Sequence, residues 1–235
     1  ERALLDRMAR DPSIIAITDG PTLKETLPPE TWDRLSAAMA ERGIPAFMAA
    51  KFQPWYITVL LSVPPCAMTE LQDPKGLDGM LIEAAQAEGV RIQALEPYDT
   101  VFGLFDRFSQ EERADMIEQS LLLEPRIVDF STTLADSYFA GESRLMWELM
   151  RFVSYGMEGQ TREKVDAEMA VMEEVLMAER NRAWIPVIED TAAAEDGPLV
   201  VAFGALHLSG EDGVLNLLAR NGWQVAPLVA PPVSP

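Results

Sequence analysis

Residues 199–213, with the sequence LVVAFGALHLSGEDG, decide the fold that the sequence predicts. Residues 199–203 are apolar and predict a buried strand, after which a helix is expected over 211–220. A second strand, predicted over 223–229, completes a strand–helix–strand unit with the usual right-handed crossover. His207 then lies just past the carboxyl end of a strand, where open α/β sheets usually bind ligands.

Length, composition and charge narrow the class of protein. The chain has 235 residues, of which 48% are hydrophobic, and this suits one large domain or two small ones. Its 19 Lys and Arg against 38 Asp and Glu give a formal net charge of −19, and such a surface repels nucleic acid and anionic membranes. A single cysteine, Cys66, excludes an internal disulfide. No apolar run approaches the roughly 18 residues that span a bilayer, so we expect no transmembrane segment in this chain.

The rest of the chain adds strands and helices to this unit. Residues 90–95 alternate apolar and polar side chains and predict a strand, and residues 13–18 are a shorter strand candidate. Residues 52–63 predict a buried helix, although their periodicity leaves a strand open. The simplest layout is a single domain over 1–235 with a mixed α/β fold, in which two half-sheets form a central mixed sheet flanked by helices. A helical insertion of about 109–182 lies between the half-sheets, and further helices are expected over 28–43 and 76–88.

His207 is the first candidate for chemistry because it is the only histidine in the chain. An unperturbed imidazole has a pKa of about 6.5, which suits a metal ligand or a general base. Gly204, three residues earlier, lets the backbone turn so that the imidazole faces the crevice. The alternative is a histidine that only makes hydrogen bonds in an exposed loop. Replacing such a residue changes stability by no more than about 0.5 kcal/mol.

Glu96 and Arg180 are further candidates. Glu96 ends a predicted strand, as His207 follows one, and it could ligate a metal or act as a general base. Arg180 lies near the end of a long predicted helix and could pair bidentately with Glu96 or with a substrate anion. The alternatives are a solvated loop glutamate and a cation that complements the helix dipole.

Other kinds of site are disfavoured by the sequence. One histidine and one glutamate fall short of the four ligands of a closed zinc site. The chain contains no G-x-S-x-G, P-loop or C-x-x-C motif. Trp55 and Trp184 are expected to be packing residues.

Short motifs also occur in a fixed order along nearly the whole chain. They are Asp19-Gly20-Pro21-Thr22-Leu23, Pro54-Trp55 within residues 51–61, Gly76-Leu77-Asp78, Ala94-Leu95-Glu96, residues 138–142 with Trp147, Glu179-Arg180-Asn181 with Trp184, Gly204-Ala205-Leu206-His207-Leu208, and residues 210–213. Each motif is weak alone, but the ordered set resembles the TraB/GumN family, also called TraB/PrgY or YbaP-like, which includes the Tiki proteins.

The resemblance implies a fold related to the erythromycin-esterase and ChaN-like group. It also implies a metal-dependent hydrolase, protease-like in the Tiki proteins, with two G-x-x-H motifs, a glutamate and an arginine as functional residues. The second motif ends here at His207, the glutamate matches Glu96 and the arginine matches Arg180. His207 and Glu96 are the implied ligands of a divalent metal (Mn, Co or Zn), and all three residues are expected to converge on one crevice. Supporting positions are Gly204, Asn181 and Trp55.

The first G-x-x-H motif is absent, and we expect it on a first strand upstream of Glu1. With one histidine, this chain is expected to bind divalent metal weakly or not at all. The alternative function is a non-catalytic protein that binds a small ligand such as haem in the same crevice. The expected partner is a small-molecule or peptide substrate. The resemblance favours an extracytoplasmic location, a cytoplasmic one stays open, and the sequence does not indicate an oligomeric state.

Overall fold

The structure, a computed structural model, describes residues 11–69, 76–97, 99–105, 107–157 and 159–228. Helices account for most of these residues, and no strand occurs among them. Their β-type pairing is an isolated antiparallel bridge between Ala16 and Phe52. The predicted α/β fold with a central mixed sheet is therefore wrong. The chain divides into two compact units, Glu1–Ala135 and Asp136–Pro235.

The segments predicted as strands are irregular or helical. Residues 90–95, 199–203 and 223–228 form no regular element, and Val229 lies outside the described residues. A 3-10 turn, Pro12–Ile14, takes the place of the strand expected near the amino end.

These strand predictions were wrong because an apolar pattern does not supply a backbone partner. A strand is stable only when its N–H and C=O groups pair with a neighbouring strand and one of its faces is covered. Val200 is 80% exposed and Leu228 is 96% exposed, so the side chains that predicted burial are not covered.

In the first unit, several predicted helices are confirmed within a few residues. The helices expected over 28–43, 52–63 and 76–88 are observed as α2 (Pro29–Glu41), α4 (Pro54–Leu61) and α5 (Leu77–Ala87). Proline in the first turn starts both α2 and α4, where its missing N–H removes no helical hydrogen bond. The helices of this unit are α1 (Leu23–Thr26), α2 (Pro29–Glu41), α3 (Ala46–Ala49), α4 (Pro54–Leu61), α5 (Leu77–Ala87), α6 (Thr100–Phe105) and α7 (Gln110–Leu123), and α8 (Ile127–Phe139) crosses into the second unit.

The hydrophobic core of the first unit lies among α2, α4 and α7. Helix α7 packs against both α2 and α4, and all three helices contribute buried apolar side chains to this core. The most buried members of this core are Leu35, Met39, Ile57, Leu61 and Ile117.

Arg42 supplies hydrogen bonds to polar groups at the edge of this core. Its side chain is completely buried and forms a bidentate ion pair with Glu124, with Nη1–Oε1 at 2.7 Å and Nη2–Oε2 at 2.9 Å. Its remaining N–H groups donate to backbone carbonyls at or just after the carboxyl ends of α2 and α4, where helical carbonyls run out of helical partners. These carbonyls belong to Ala38, Leu60, Leu61 and Val63.

The second unit is also helical where it is described. The helix expected from Glu211 begins three residues later, at Val214, with Gly213 in the capping position. The described elements of the second unit are α9 (Ser143–Ser154), α10 (Arg162–Glu173), a π turn (Glu174–Ala178), α11 (Glu179–Ala194), a 3-10 turn (Ala205–His207) and α12 (Val214–Arg220).

Candidate functional site

The candidate site of the second unit starts from a π turn. Glu174–Ala178 joins α10 to α11 without a break, and the N–H of Glu179 donates to the carbonyl of Glu174, five residues earlier. A π turn adds one residue to a helical turn and so rotates the following helix by about 100°, the angle of one residue in an α-helix. Such turns occur frequently at functional sites. The start of α11 carries Arg180 and Asn181.

His207 lies at the end of the 3-10 turn Ala205–His207 and is only 9% exposed. The expectation of an exposed loop histidine is therefore wrong. The turn begins after Gly204, whose φ of −56° is open to any residue. A Cβ at Gly204 would make an ordinary 3.7 Å contact with the imidazole, so the turn does not depend on glycine at this position.

Asn181 holds one edge of the imidazole. Its Oδ1 lies 2.6 Å from His207 Nδ1. Its Nδ2 donates to the carbonyl of Asp212 at 2.8 Å and, at the limit of hydrogen-bond distance, to the carbonyl of His207 at 3.5 Å. Asn181 is 2% exposed, so its amide is buried and bonded at both ends.

Arg180 approaches the opposite edge of the ring. Its Nη1 lies 3.4 Å from His207 Nε2 and donates to the carbonyl of Leu176, in the π turn, at 2.8 Å. The guanidinium carbon lies 5.0 Å from the centre of the Trp184 ring, within cation–π range. The distance to Nε2 is longer than that of a strong hydrogen bond.

Aromatic rings complete the surroundings of His207. Trp184 is 3% exposed, and its ring centre lies 4.5 Å from that of the imidazole. Phe203 meets the imidazole edge to face, with ring centres 6.3 Å apart. Trp184 is thus a packing residue, as expected, but what it packs against is the candidate site. The apolar walls strengthen the electrostatic interactions of the imidazole because they keep the local dielectric low.

Gly213 allows the loop after His207 to close. A Cβ at Gly213 would lie 2.5 Å from the backbone carbon and oxygen of Ser209, closer than real side chains approach. Only glycine fits this turn, which places the carbonyl of Asp212 against Asn181. A glycine whose role is close backbone approach leaves no pattern of its own, and the sequence reasoning missed it.

Ion pairs surround the site in the same unit. Arg144 pairs with Glu173 and, at 3.0 Å, with Glu148. The hydrogen bond from Arg144 lowers the pKa of the Glu173 carboxyl below its ordinary value, despite partial burial that would raise it. Arg182, two residues after Arg180, is exposed and pairs with Glu174 and with Asp212 at 3.4 Å. The two arginines therefore have different surroundings although they are close in sequence.

The remaining predicted site residues lie in the first unit. Glu96 is half-buried in a bend after the irregular residues 90–94. Trp55 donates from Nε1 to the carbonyl of Ile14 at 3.2 Å and stacks on Phe105 at 5.8 Å, which is a packing role. The structure brings His207, Arg180 and Asn181 together within one unit. The convergence of Glu96 with them stays a prediction.

The described residues do not form a ready-made site for a divalent metal. Among the described residues, no group of three or more His, Cys, Asp and Glu side chains could hold a metal ion. The predicted ligation by His207 and Glu96 stays a prediction.

The chain belongs to the TraB/PrgY/gumN family, whose model matches residues 2–227. This confirms the family resemblance seen in the sequence. No curated protein and no solved structure matches the chain. Within the described ranges, no helix is both long and apolar enough to cross a membrane.

Proposed function

We propose that this chain is a hydrolase that acts on a peptide or similar bond, with His207 and Arg180 as its reacting pair. The observation that carries the proposal is a buried imidazole held at Nδ1 by Asn181, with a guanidinium 3.4 Å from Nε2. A general base and a nearby cation can both accelerate carbonyl hydrolysis, the first by activating water and the second by stabilising the oxyanion. Membership of the family supports the class of protein but not the reaction.

The proposed step uses these two side chains in turn. His207 Nε2 takes a proton from a water molecule as the water oxygen bonds to the carbonyl carbon of the substrate. The carbonyl oxygen becomes an oxyanion, and the Arg180 guanidinium turns from Nε2 to stabilise it. The imidazolium then returns its proton to the leaving group as the bond from carbon to nitrogen or oxygen breaks. The carbonyl re-forms, and the imidazole is neutral again.

The test measures hydrolysis of p-nitrophenyl acetate and of a mixture of internally quenched fluorescent peptides. We expect His207→Gln to lower kcat by about 10²–10⁴-fold, the usual share of a general base. Arg180→Gln should lower it by about 10²–10³-fold, the usual share of an oxyanion donor. Arg182→Gln is the matched control and should have no effect, because Arg182 pairs with exposed carboxylates instead.

Two results would contradict the proposal. Full activity in His207→Gln would remove His207 from the reaction, and no turnover of any substrate by the wild type would favour a ligand-binding protein. The same assay tests the predicted metal. Loss of activity in excess EDTA, with recovery on adding Mn²⁺, Co²⁺ or Zn²⁺, would support a metal-dependent hydrolase.

A further inference from the structure

The amide of Asn181 has a fixed orientation in the second unit. Its Nδ2 faces two backbone carbonyls, those of Asp212 and His207, and a carbonyl can only accept hydrogen bonds. The NH₂ group must therefore lie on that side, and Oδ1 must face the imidazole. A flipped amide would set two pairs of acceptors against each other in a buried place, at a cost of about 1–3 kcal/mol for each unsatisfied group.

This orientation decides which ring nitrogen of His207 carries the proton. Oδ1 can only accept, so Nδ1, 2.6 Å away, must donate and must bear the hydrogen. In the neutral ring, Nε2 then keeps its lone pair. Arg180, which can only donate, lies on the Nε2 side and favours the same arrangement from the other edge.

The selected tautomer differs from the one that free histidine prefers. In water the neutral imidazole carries its proton mainly on Nε2, so the protein has to impose the other form. Asn181 is suited to this task because it adds no charge and its second end is anchored. The anchor is the carbonyl of Asp212, held close by the turn that requires Gly213.

We propose that Asn181 is a positioning residue that fixes His207 as the Nδ1–H tautomer and so presents the Nε2 lone pair to the substrate. The catalytic use of this lone pair rests on the proposed function, whereas the tautomer itself does not. Groups of this kind that orient a functional histidine typically account for about 10–100-fold in activity or affinity.

The single histidine makes the tautomer directly measurable in the full chain. Long-range ¹H–¹⁵N correlation spectra of uniformly ¹⁵N-labelled protein, recorded above neutral pH, contain the ring signals of His207 alone. The wild type should give a pyrrole-type ¹⁵N shift at Nδ1 and a pyridine-type shift at Nε2. The opposite pattern in the wild type would overturn the proposal without any variant.

Variants then separate the tautomer from a merely structural role. Asn181→Ala should move the ring toward the Nε2–H form, and Asn181→Asp should retain the wild-type pattern because its carboxylate still accepts from Nδ1. Asn216→Leu is the matched control: Asn216 Nδ2 bonds the carbonyl of Glu211 at 2.6 Å, away from His207 in its contacts. An unchanged tautomer in Asn181→Ala would overturn the proposal. If Asn181→Ala does not fold, the spectra of the wild type and of Asn181→Asp test the proposal. Loss of the Nδ1–H shift pattern in folded Asn181→Asp would then contradict the proposal.

Activity distinguishes this inference from the proposed function. We expect kcat to fall by about 10–100-fold in Asn181→Ala and to recover in part in Asn181→Asp. The Nδ1–H tautomer in a protein without turnover would support the positioning role and reject the hydrolase. Turnover that depends on His207, combined with the Nε2–H tautomer, would support the hydrolase and reject the positioning role of Asn181.

Discussion

The two units each bury a polar side chain at the carboxyl end of a helix or turn, but they complete its hydrogen bonds differently. In the first unit, Arg42 has all its N–H groups paired with Glu124 and with backbone carbonyls. In the second unit, Asn181 Oδ1 lies 2.6 Å from His207 Nδ1, and Arg180 Nη1 lies 3.4 Å from His207 Nε2. We expect the first network to contribute mainly to the stability of the fold and the second, in line with the proposed function, to contribute mainly to activity.

The comparison predicts the largest effect on stability at Arg42. We expect Arg42→Met to lower the free energy of unfolding by about 3–5 kcal/mol, because the half-buried Glu124 carboxylate and several backbone carbonyls lose their partner. Chemical denaturation measures this loss. Arg91→Met, at an exposed arginine of the same unit, is the control and should change stability by no more than about 0.5 kcal/mol. A loss under about 1 kcal/mol at Arg42 would mean that its network is not structural.

His207→Ala should lower the stability less than Arg42→Met does, and it should lower the hydrolytic activity more. We expect a loss of about 1–3 kcal/mol, since the buried Asn181 amide is left without its partner. The control is Arg220→Ala, which removes an exposed ion pair with Glu211 and should cost less than about 1 kcal/mol. A cost at His207 below about 0.5 kcal/mol would restore the exposed-loop interpretation made from sequence.

A double-mutant cycle sharpens the contrast within the first unit. Arg42→Met, Glu124→Met and the double variant should show a coupling energy of about 0.5–3 kcal/mol. The double variant should remain less stable than the wild type, because the carbonyls at the ends of α2 and α4 no longer receive the hydrogen bonds that Arg42 donates. Full recovery of stability in the double variant would instead assign the whole effect of Arg42 to its ion pair.

The smallest expected effect is a pH dependence from Glu173 in the second unit. Arg144 lowers the pKa of the Glu173 carboxyl in the folded state. The ion pair therefore stabilises the fold above the ordinary pKa near 4.5, and this stabilisation is lost as the pH falls through the lowered pKa. Glu173→Gln should therefore be less stable than the wild type at neutral pH, by less than about 1 kcal/mol, and equal to it in acid. Thermal unfolding between pH 7 and strong acid measures this difference, with Glu83→Gln, at an exposed glutamate, as the control. A difference that grows in acid would contradict the assignment.

Much of the helical structure was predictable from local signals. Proline in the first turn marked α2 and α4, and Ser109 with Glu112 formed the capping box that starts α7. These signals act within a few residues, so the sequence carries them without help from distant parts of the chain.

The strands could not be predicted in the same way. The apolar residues 199–203 and the alternating residues 90–95 have the side-chain pattern of strands, yet neither has a paired neighbour in the described structure. Pairing depends on what lies beside a segment in space, and periodicity does not record this.

For the site, the sequence by itself determined which residues are present. The lone histidine, the Glu179-Arg180-Asn181 motif and the ordered set of motifs were sufficient to identify the family and to select His207 and Arg180. Only the tertiary structure decided that His207 is buried and that Asn181 bonds its Nδ1. Asn181 and His207 are 26 positions apart in the sequence, and a π turn, a 3-10 turn and the close approach at Gly213 bring them together. Hydrogen-bond direction depends on this packing, and so residue type gives the chemistry available to a site while geometry decides which atom is left to perform it.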